Sequence, residues 1–363
     1  MKKLLFAGFN FGKKYETYLP IYAYSILKAY PEYEVALFTD VKLSENTHEM
    51  IDLVSAHGRI HLFEDYDFGI EGGLSSVEHF RAKTACRWVL FEEMFLDYKA
   101  VYIGDIDMFI CREFLGIFEQ HEKHCTETGL PYSNDVRWQA KQLSASLESE
   151  HSEIVEITSF PRMTGLHYVH PVEYFGKVLP LFPGRRKLLT SNSGLVQDDE
   201  NFLFNLIRDS GLEIVPAGHG GEVYACTKSS YSFRPHHGLH LGLFRSKNGV
   251  LAGWNHLSSG ACRNYFAWYA SLLSECDTLK KLISLSDPFV SEQFERMELF
   301  YSQLDTGKVS MSWPRSGDFL ALANQQSDST KVVAESTLSF WKKMRARFLR
   351  ALKLMSPASD TEE

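Results

Sequence analysis

Residues 102–110 read Tyr-Ile-Gly-Asp-Ile-Asp-Met-Phe-Ile, two acids inside an otherwise apolar run. Burying an unpaired carboxylate is costly, so Asp105 and Asp107 require a partner or an exit from the core. At a spacing of i, i+2 both side chains fall on one face of an extended backbone. Two carboxylates converging at a strand end suit a hard divalent cation bound through oxygen, such as Mg2+ or Mn2+. The ion would remove their mutual repulsion and could neutralise a diphosphate leaving group. Two solvated acids closing a strand are the plainer alternative. A glycine-bearing stretch at residues 8–14, Gly-Phe-Asn-Phe-Gly-Lys-Lys, invites comparison with a phosphate loop. Its glycines are one residue too close, and Lys14 stands where such a loop needs Ser or Thr. The G-x-G-x-x-G turn of dinucleotide-binding folds is missing there too.

The elements that must position the acids alternate between strand and helix. Residues 4–9 are a short apolar run, and 18–29 carry apolar residues at helical spacing before Pro31. Residues 33–38 are β-rich, 44–54 are helical with Ser44 as N-cap, and 59–63 give a third strand. The pattern predicts one long helix over 79–95 and a fourth strand over 100–110. Such alternation predicts a mostly parallel α/β sheet with helices on both faces. Ligands bind outside the carboxyl ends of its strands, and the aspartates lie toward that end. Farther on, 114–123, 171–181 and 201–210 read as helices, 165–169 as a short strand, and polar 137–150 as a helix-prone insertion. Residues 182–192 hold Pro183-Gly184 and the basic cluster Arg185, Arg186 and Lys187, 218–221 form a glycine-rich loop, and the chain beyond 255 is mostly helical.

The chain has 363 residues, 44% hydrophobic and 23% charged, with a net charge of −8. That suffices for a sizeable core and offers no overall basic field for nucleic acid. Six scattered cysteines, Cys86, Cys111, Cys125, Cys226, Cys262 and Cys276, form no Cys-x-x-Cys pair. They fit a reducing compartment, so a cytoplasmic location is expected. The opening Met-Lys-Lys run has too short an apolar segment for a signal peptide, and no window reaches the roughly 18 apolar residues of a membrane span.

The strand around Asp105-x-Asp107, preceded by the helical stretch His-Phe-Arg-Ala-Lys-Thr-Ala-Cys-Arg-Trp, resembles the D-x-D region of glycosyltransferases with the A-type (GT-A) fold, and family-8-like enzymes come closest. The resemblance covers residues 1–255 and implies a Rossmann-like GT-A domain that binds a nucleotide sugar, with UDP as the expected nucleotide. It implies that Arg81 approaches the nucleotide diphosphate or the aspartates. Lys83 is a candidate for the same contact, whereas Arg87 reads as a surface charge on an amphipathic helix. Gly104, directly before Asp105, would let ligand approach the backbone. Arg162–Val169 is similar to the family's strand lining the acceptor and donor-sugar pocket, which implies substrate contacts from Thr164, Gly165 and His167. Asp198–Ile207 looks like the family's D-Q-D segment, with Asp199 and Glu200 in its first two places. Glu200, where Gln is usual, could be the general base of an inverting displacement; acids complementing a helix dipole are the other reading. A late histidine before glycine supplies the family's third metal ligand. His240 matches best, His236 and His237 remain competitors, and Arg245 or Lys247 would contact phosphate. The family's Lys-Pro-Trp ending is absent. Phe9 and Asn10 would lie beside the base or ribose, with Asp40 and Glu64 within reach.

The expected organisation is a catalytic domain over 1–255, a helical extension over 256–324, a linker over 325–337, and a basic amphipathic helix with a disordered tail over 338–363. Within the last, Trp341, Met344, Phe348, Leu352 and Met355 recur at helical spacing among Lys and Arg. That pattern suits a helix lying on an anionic membrane surface, or one packed on its own domain or a partner. The function expected is divalent-metal-dependent sugar transfer to a glycan or lipid-linked glycan in bacterial surface-polysaccharide synthesis, peripheral to the inner face of the cytoplasmic membrane. A sugar-nucleotide nucleotidyltransferase and a non-catalytic carbohydrate- or membrane-binding protein are the alternatives.

Overall fold

The structure is a computed structural model that describes residues 2–304 apart from 79, 114, 135, 142–157, 192–195, 197, 215–236 and 245–259. Among the described residues ten strands run in chain order: β1 (Lys2–Asn10), β2 (Glu34–Thr39), β3 (Ile60–Phe63), β4 (Tyr98–Gly104), β5 (Met108–Ile110), β6 (Tyr132–Ser133), β7 (Val136–Lys141), β8 (Thr158–Met163), β9 (His167–Val169) and β10 (Gly238–His240). The helices are α1 (Tyr18–Ala29), α2 (Glu45–Ser55), α3 (Phe80–Ala85), α4 (Ile117–Thr128), α5 (Pro171–Val178), α6 (Phe182–Ser191), α7 (Asp199–Asp209), α8 (Gly260–Glu275), α9 (Asp277–Leu285) and α10 (Pro288–Leu304).

Six strands form the main sheet in the order β3-β2-β1-β4-β9-β6. The first four are parallel, and β9 runs antiparallel to both β4 and β6. The mostly parallel α/β sheet expected from the alternation is therefore present. Its chain reverses direction of winding between β1 and β4, and in an open α/β sheet that crevice is where ligands bind. The core follows from the two-residue period of the strands. Leu4, Phe6, Val35, Leu37, Ala100 and Tyr102 face one side, and Leu5, Ala7, Ala36, Phe38, Val101 and Ile103 the other. On the first side α1 lies between the sheet and α9–α10, which leaves only Lys28 of that helix not fully buried. Tyr18 of α1 donates a hydrogen bond to Gln293 of α10, so the C-terminal helices share the core of the sheet. Ser44 caps α2, accepting from the Thr47 amide at 3.2 Å.

Several local expectations give way. The helix expected over 79–95 ends at Ala85, passes through a tight 3-10 turn at Cys86–Val89, and is extended by Leu90. Arg186 takes the Val89 carbonyl, at 2.8 and 3.2 Å, so that carbonyl is lost to any continuing helix. The strand expected over 100–110 is two strands. Continuing β4 between its neighbours would bury both carboxylates; the chain instead turns at Ile106-Asp107, and β5 leaves the main sheet to pair antiparallel with β10. The helix-prone insertion at 137–150 is strand to Lys141, paired with β8. Residues 182–191, with their Pro183-Gly184, are helical, because Pro is tolerated in a first turn. The glycine-rich loop at 218–221, the linker and the basic segment 341–355 lie outside the described residues. No helix among the described residues is long and apolar enough to cross a membrane, and none of the five described cysteines forms a disulfide.

Candidate active site

The acids emerge at the carboxyl end of β4, beside the end of β1. Ile106 between them is buried, which pins the turn while Asp105 stays 32% exposed and Asp107 only 9%. The third member arrives on β10, whose register sets His240 opposite Met108. The Leu241 amide donates to the Asp107 carbonyl at 2.8 Å, which ties the two segments together just past the pair. One side-chain donor atom from each of Asp105, Asp107 and His240 lies within 4.8 Å of the others. His240 Nδ1 is buried, has no hydrogen bond among the described residues, and stands 3.7 Å from Asp107 Oδ1, too far for one. Ligands about 2.1 Å from an octahedral ion stand roughly 3–4 Å apart. Two carboxylates and an orphaned imidazole nitrogen at this spacing therefore fit Mg2+ or Mn2+ after small side-chain adjustments.

A guanidinium organises the other side of the cleft. Arg87 lies in the turn after α3 with its side chain 6% exposed, donating from Nη1 to Asp105 and from Nη2 to Asp199. It also stacks on its neighbour Trp88, 4.4 Å from the ring centre. The reading of Arg87 as a surface charge is thus corrected: it is the buried cation joining the β4 acid to the α7 acid. Cys86 and Trp88, buried on either side of it, were the available signal. Gly165 leaves room for this pair, since a Cβ would stand 2.7 Å from Asp105 Oδ2 and 3.1 Å from Arg87 Nη2 and push these side-chain ends aside.

The α7 acids divide into two kinds. Asp198 caps the helix, accepting from the Asn201 amide. Glu200 has both oxygens engaged, Oε1 by the Gly165 amide at 3.1 Å and Oε2 by Arg162 at 2.9 Å. Asp199 faces Arg87 in the cleft at 21% exposure. Burial pushes its carboxyl up to about 6; Arg87 opposes this, while Asp105, Glu200 and Asp198 add to it.

The remaining expected residues are placed as follows. Thr164 is buried, its hydroxyl and amide both bonded to Asn134 Oδ1. His167 is buried beside Trp88 and Tyr174, bonded through Nδ1 to Asn134, and burial holds its pKa down at about 3; it is not presented to the cleft. Phe9 stacks on Phe38 within the core. Asn10 ends β1 with Nδ2 bonded to Gly12 O and Thr39 Oγ1, and its buried Oδ1 has no partner among the described residues. Asp40 accepts from the Gly12 amide at 2.7 Å, closing the turn after β1, and Glu64 accepts from the Leu43 amide. Arg81 and Lys83 both lie on α3, Lys83 half-buried. His237 is turned away from the acids into the core. His236, Arg245 and Lys247 lie outside the described residues.

No protein-family model matches the sequence, and no curated protein matches it. The structure is similar to that of core-mannan synthase A from Aspergillus fumigatus in its Mn/GDP form, at 8% identity and a TM-score of 0.35, over 57% of this chain and 70% of that one. It is similar to an active-site mutant of LgtC at 15% identity and 0.33, over 56% and 69%. It is similar as well to the galactosyltransferase LgtC in complex with donor and acceptor sugar analogues, at 12% and 0.30, over 56% and 70%.

Proposed function

We propose that this protein is a divalent-metal-dependent glycosyltransferase. It moves a sugar from a nucleoside-diphosphate sugar, UDP being the nucleotide expected, to a hydroxyl of a glycan or lipid-linked glycan. The observation that carries this reading is the convergence of Asp105, Asp107 and His240 at the crevice between β1 and β4. These three residues would hold Mn2+ or Mg2+, which would supply positive charge against a departing diphosphate. The nucleotide would then lie over the ends of β1 and β2, where Asn10 Oδ1 and the Asp40 turn offer polar contacts. Arg87 fixes the relative position of Asp105 and Asp199. Of the two α7 acids, Asp199 is the better proton acceptor for an incoming hydroxyl. Its affinity for a proton is raised toward neutrality, whereas the oxygens of Glu200 are already taken. Gly165 keeps that cleft free of side chain. The basic stripe of residues 341–355 would hold the enzyme against an anionic membrane where a lipid-linked acceptor in surface-polysaccharide synthesis resides.

The test is incubation of the full chain with a panel of nucleotide sugars, with and without Mn2+. Release of nucleoside diphosphate from one donor, dependent on metal and lost in Asp107→Ala, is the expected outcome. Release of pyrophosphate from a nucleoside triphosphate and a sugar phosphate would mark a nucleotidyltransferase instead. No release from any donor, together with no donor-dependent thermal shift, would overturn the glycosyltransferase reading, and absence of pyrophosphate release as well would overturn both. Liposome binding should disappear when residues 338–363 are deleted, and unchanged binding would remove the membrane from the proposal.

A further inference from the structure

His240 ends a strand of only three residues, Gly238–His240, which follows directly on His237. Backbone pairing over so short a length leaves position and pitch weakly fixed. What precedes the strand is fixed tightly. His237 is fully buried, and its carbonyl accepts from the Cys111 amide at 2.9 Å. Its Nδ1 meets Glu113 Oε1 at 3.0 Å and its Nε2 meets His121 Nε2 at 2.9 Å. Tyr265 donates to the same Glu113 oxygen, and Gln120 donates to the other. His121 Nδ1 lies 2.8 Å from Ser133 Oγ, which lies 2.8 Å from His124 Nδ1. For neutral rings, one arrangement of protons satisfies every contact in this chain. The carboxylate of Glu113 can only accept, so His237 carries its proton on Nδ1 and leaves Nε2 bare. His121 then donates from Nε2 and accepts on Nδ1 from the Ser133 hydroxyl, whose oxygen accepts from His124. Glu113 thus sets the tautomer of every ring behind it.

The next residue makes the anchor directional. A Cβ on Gly238 would stand 2.0 Å from the Phe109 carbonyl oxygen, a backbone atom that cannot step aside. β10 therefore lies closer to β5 than any other residue at 238 would permit, and Leu239 beyond it is buried in the core. We propose that Glu113 and His237 are positioning residues for His240: the carboxylate clamps the buried imidazole, the clamp fixes the start of β10, and the three-residue strand delivers the His240 ring to Asp105 and Asp107. None of this machinery touches the cleft. The inference rests on the reading of Asp105, Asp107 and His240 as metal ligands.

Mn2+ alone is the probe, titrated into the full-length protein and followed by loss of the free-ion electron paramagnetic resonance signal, well below the melting temperature of every variant. His237→Ala should weaken Mn2+ binding by about tenfold or more, the usual consequence of losing an outer-shell support. His237→Asn, whose amide NH2 takes the place of Nδ1 and can still donate to Glu113, should recover most of that loss. Glu113→Gln, which keeps the shape of the clamp while setting an NH2 against one of its donors, should weaken binding severalfold; it is the variant to measure should His237→Ala not fold. A merely structural anchor would lower the melting temperature in these variants and leave the affinity of the folded protein unchanged. If Asp107→Ala abolishes Mn2+ binding while the folded His237 and Glu113 variants bind as the wild type does, the positioning role is overturned and the metal reading stands. If the wild type itself binds no Mn2+, both fall.

Discussion

Removal of the Arg87 guanidinium gives the sharpest test of how the cleft is held together. Arg87→Met keeps most of the side-chain volume and its contact with Trp88, and it deletes the charge shared by Asp105 and Asp199. Breaking a buried ion pair by removing one partner costs about 3–5 kcal/mol, because the other is left buried and unmatched. The two acids abandoned here retain 32% and 21% of their side-chain exposure, so water from the cleft can reach them, and the lower end, about 3 kcal/mol, applies. For a chain of this size that corresponds to roughly 4 °C in melting temperature. The loss also carries a pH signature. Asp199 already holds its proton up to about 6, with Arg87 pulling that value down; without Arg87 it rises further. Protonating Asp199 relieves the unmatched charge, so the deficit should be largest near pH 8 and shrink by pH 5. The assay is calorimetric melting of wild type, Arg87→Met and Arg87→Lys in EDTA at the two pH values. Lysine restores charge without the two-pronged reach of a guanidinium, so it should recover only part of the deficit. A deficit independent of pH would mean that Arg87 contributes packing alone, and a variant as stable as the wild type would remove it from the site's support.

Further outcomes follow from the same geometry. Asp199→Asn should lower turnover by about 10²–10⁴-fold, whereas Glu200→Gln should cost less than tenfold; equal losses in donor-turnover kinetics would sink the assignment of Asp199 as proton acceptor. Gly165→Ala should weaken Mn2+ binding with little change in melting, because its Cβ meets Asp105 Oδ2 and Arg87 rather than the core; unchanged affinity would show that the cleft has room to spare. Burial holds His124 down at about 4 and His167 at about 3, and holds His121 well below its ordinary value, helped by His237 and His124. These rings stay neutral in the fold while the unfolded chain takes up protons near pH 6.5. Stability should therefore be held above that pH and fall as the pH drops from about 6.5 toward 4. Between pH 7 and 5 the cost is roughly 2 kcal/mol each for His124 and His167, opposed by protons gained at Asp199 and His170, whose values the fold raises. Urea unfolding with equal midpoints at pH 7 and 5 would contradict this.

The sequence made the alternating half of this molecule readable, because β1, β2 and β4 each bury both faces under helices and so appear as unbroken apolar runs. It also singled out Asp105, Asp107 and His240, which the fold brings together. Other features were hidden for identifiable reasons. The turn at Ile106-Asp107 lies within a run that reads as continuous strand, and only the cost of burying two acids argues against continuity. β5 and β10 are three residues each, too short for any periodicity to register. Arg87 has the residue type of a surface position and the neighbours of a core one, and a helical pattern carried through to Phe95 misplaces it. His236, His237 and His240 are alike by composition; only the fold reveals that His237 is spoken for by Glu113.

The pairing of β5 with β10 has a consequence for how the molecule comes together. About 130 residues of chain separate Asp107 from His240, and closing a loop of that length costs about 4 kcal/mol in chain entropy beyond a constant. The parallel strands can associate as soon as residues 1–104 exist, while the strand that carries His240 must await about 130 residues more. On the proposed metal reading the three ligands come together late in assembly, and a cation that bridges them would act as a clasp on this long excursion of the polypeptide. A nascent chain halted before residue 238 would hold Asp105 and Asp107 without His240, so on the proposed reading the ion-binding set would be completed in one step, with the strand that carries His240.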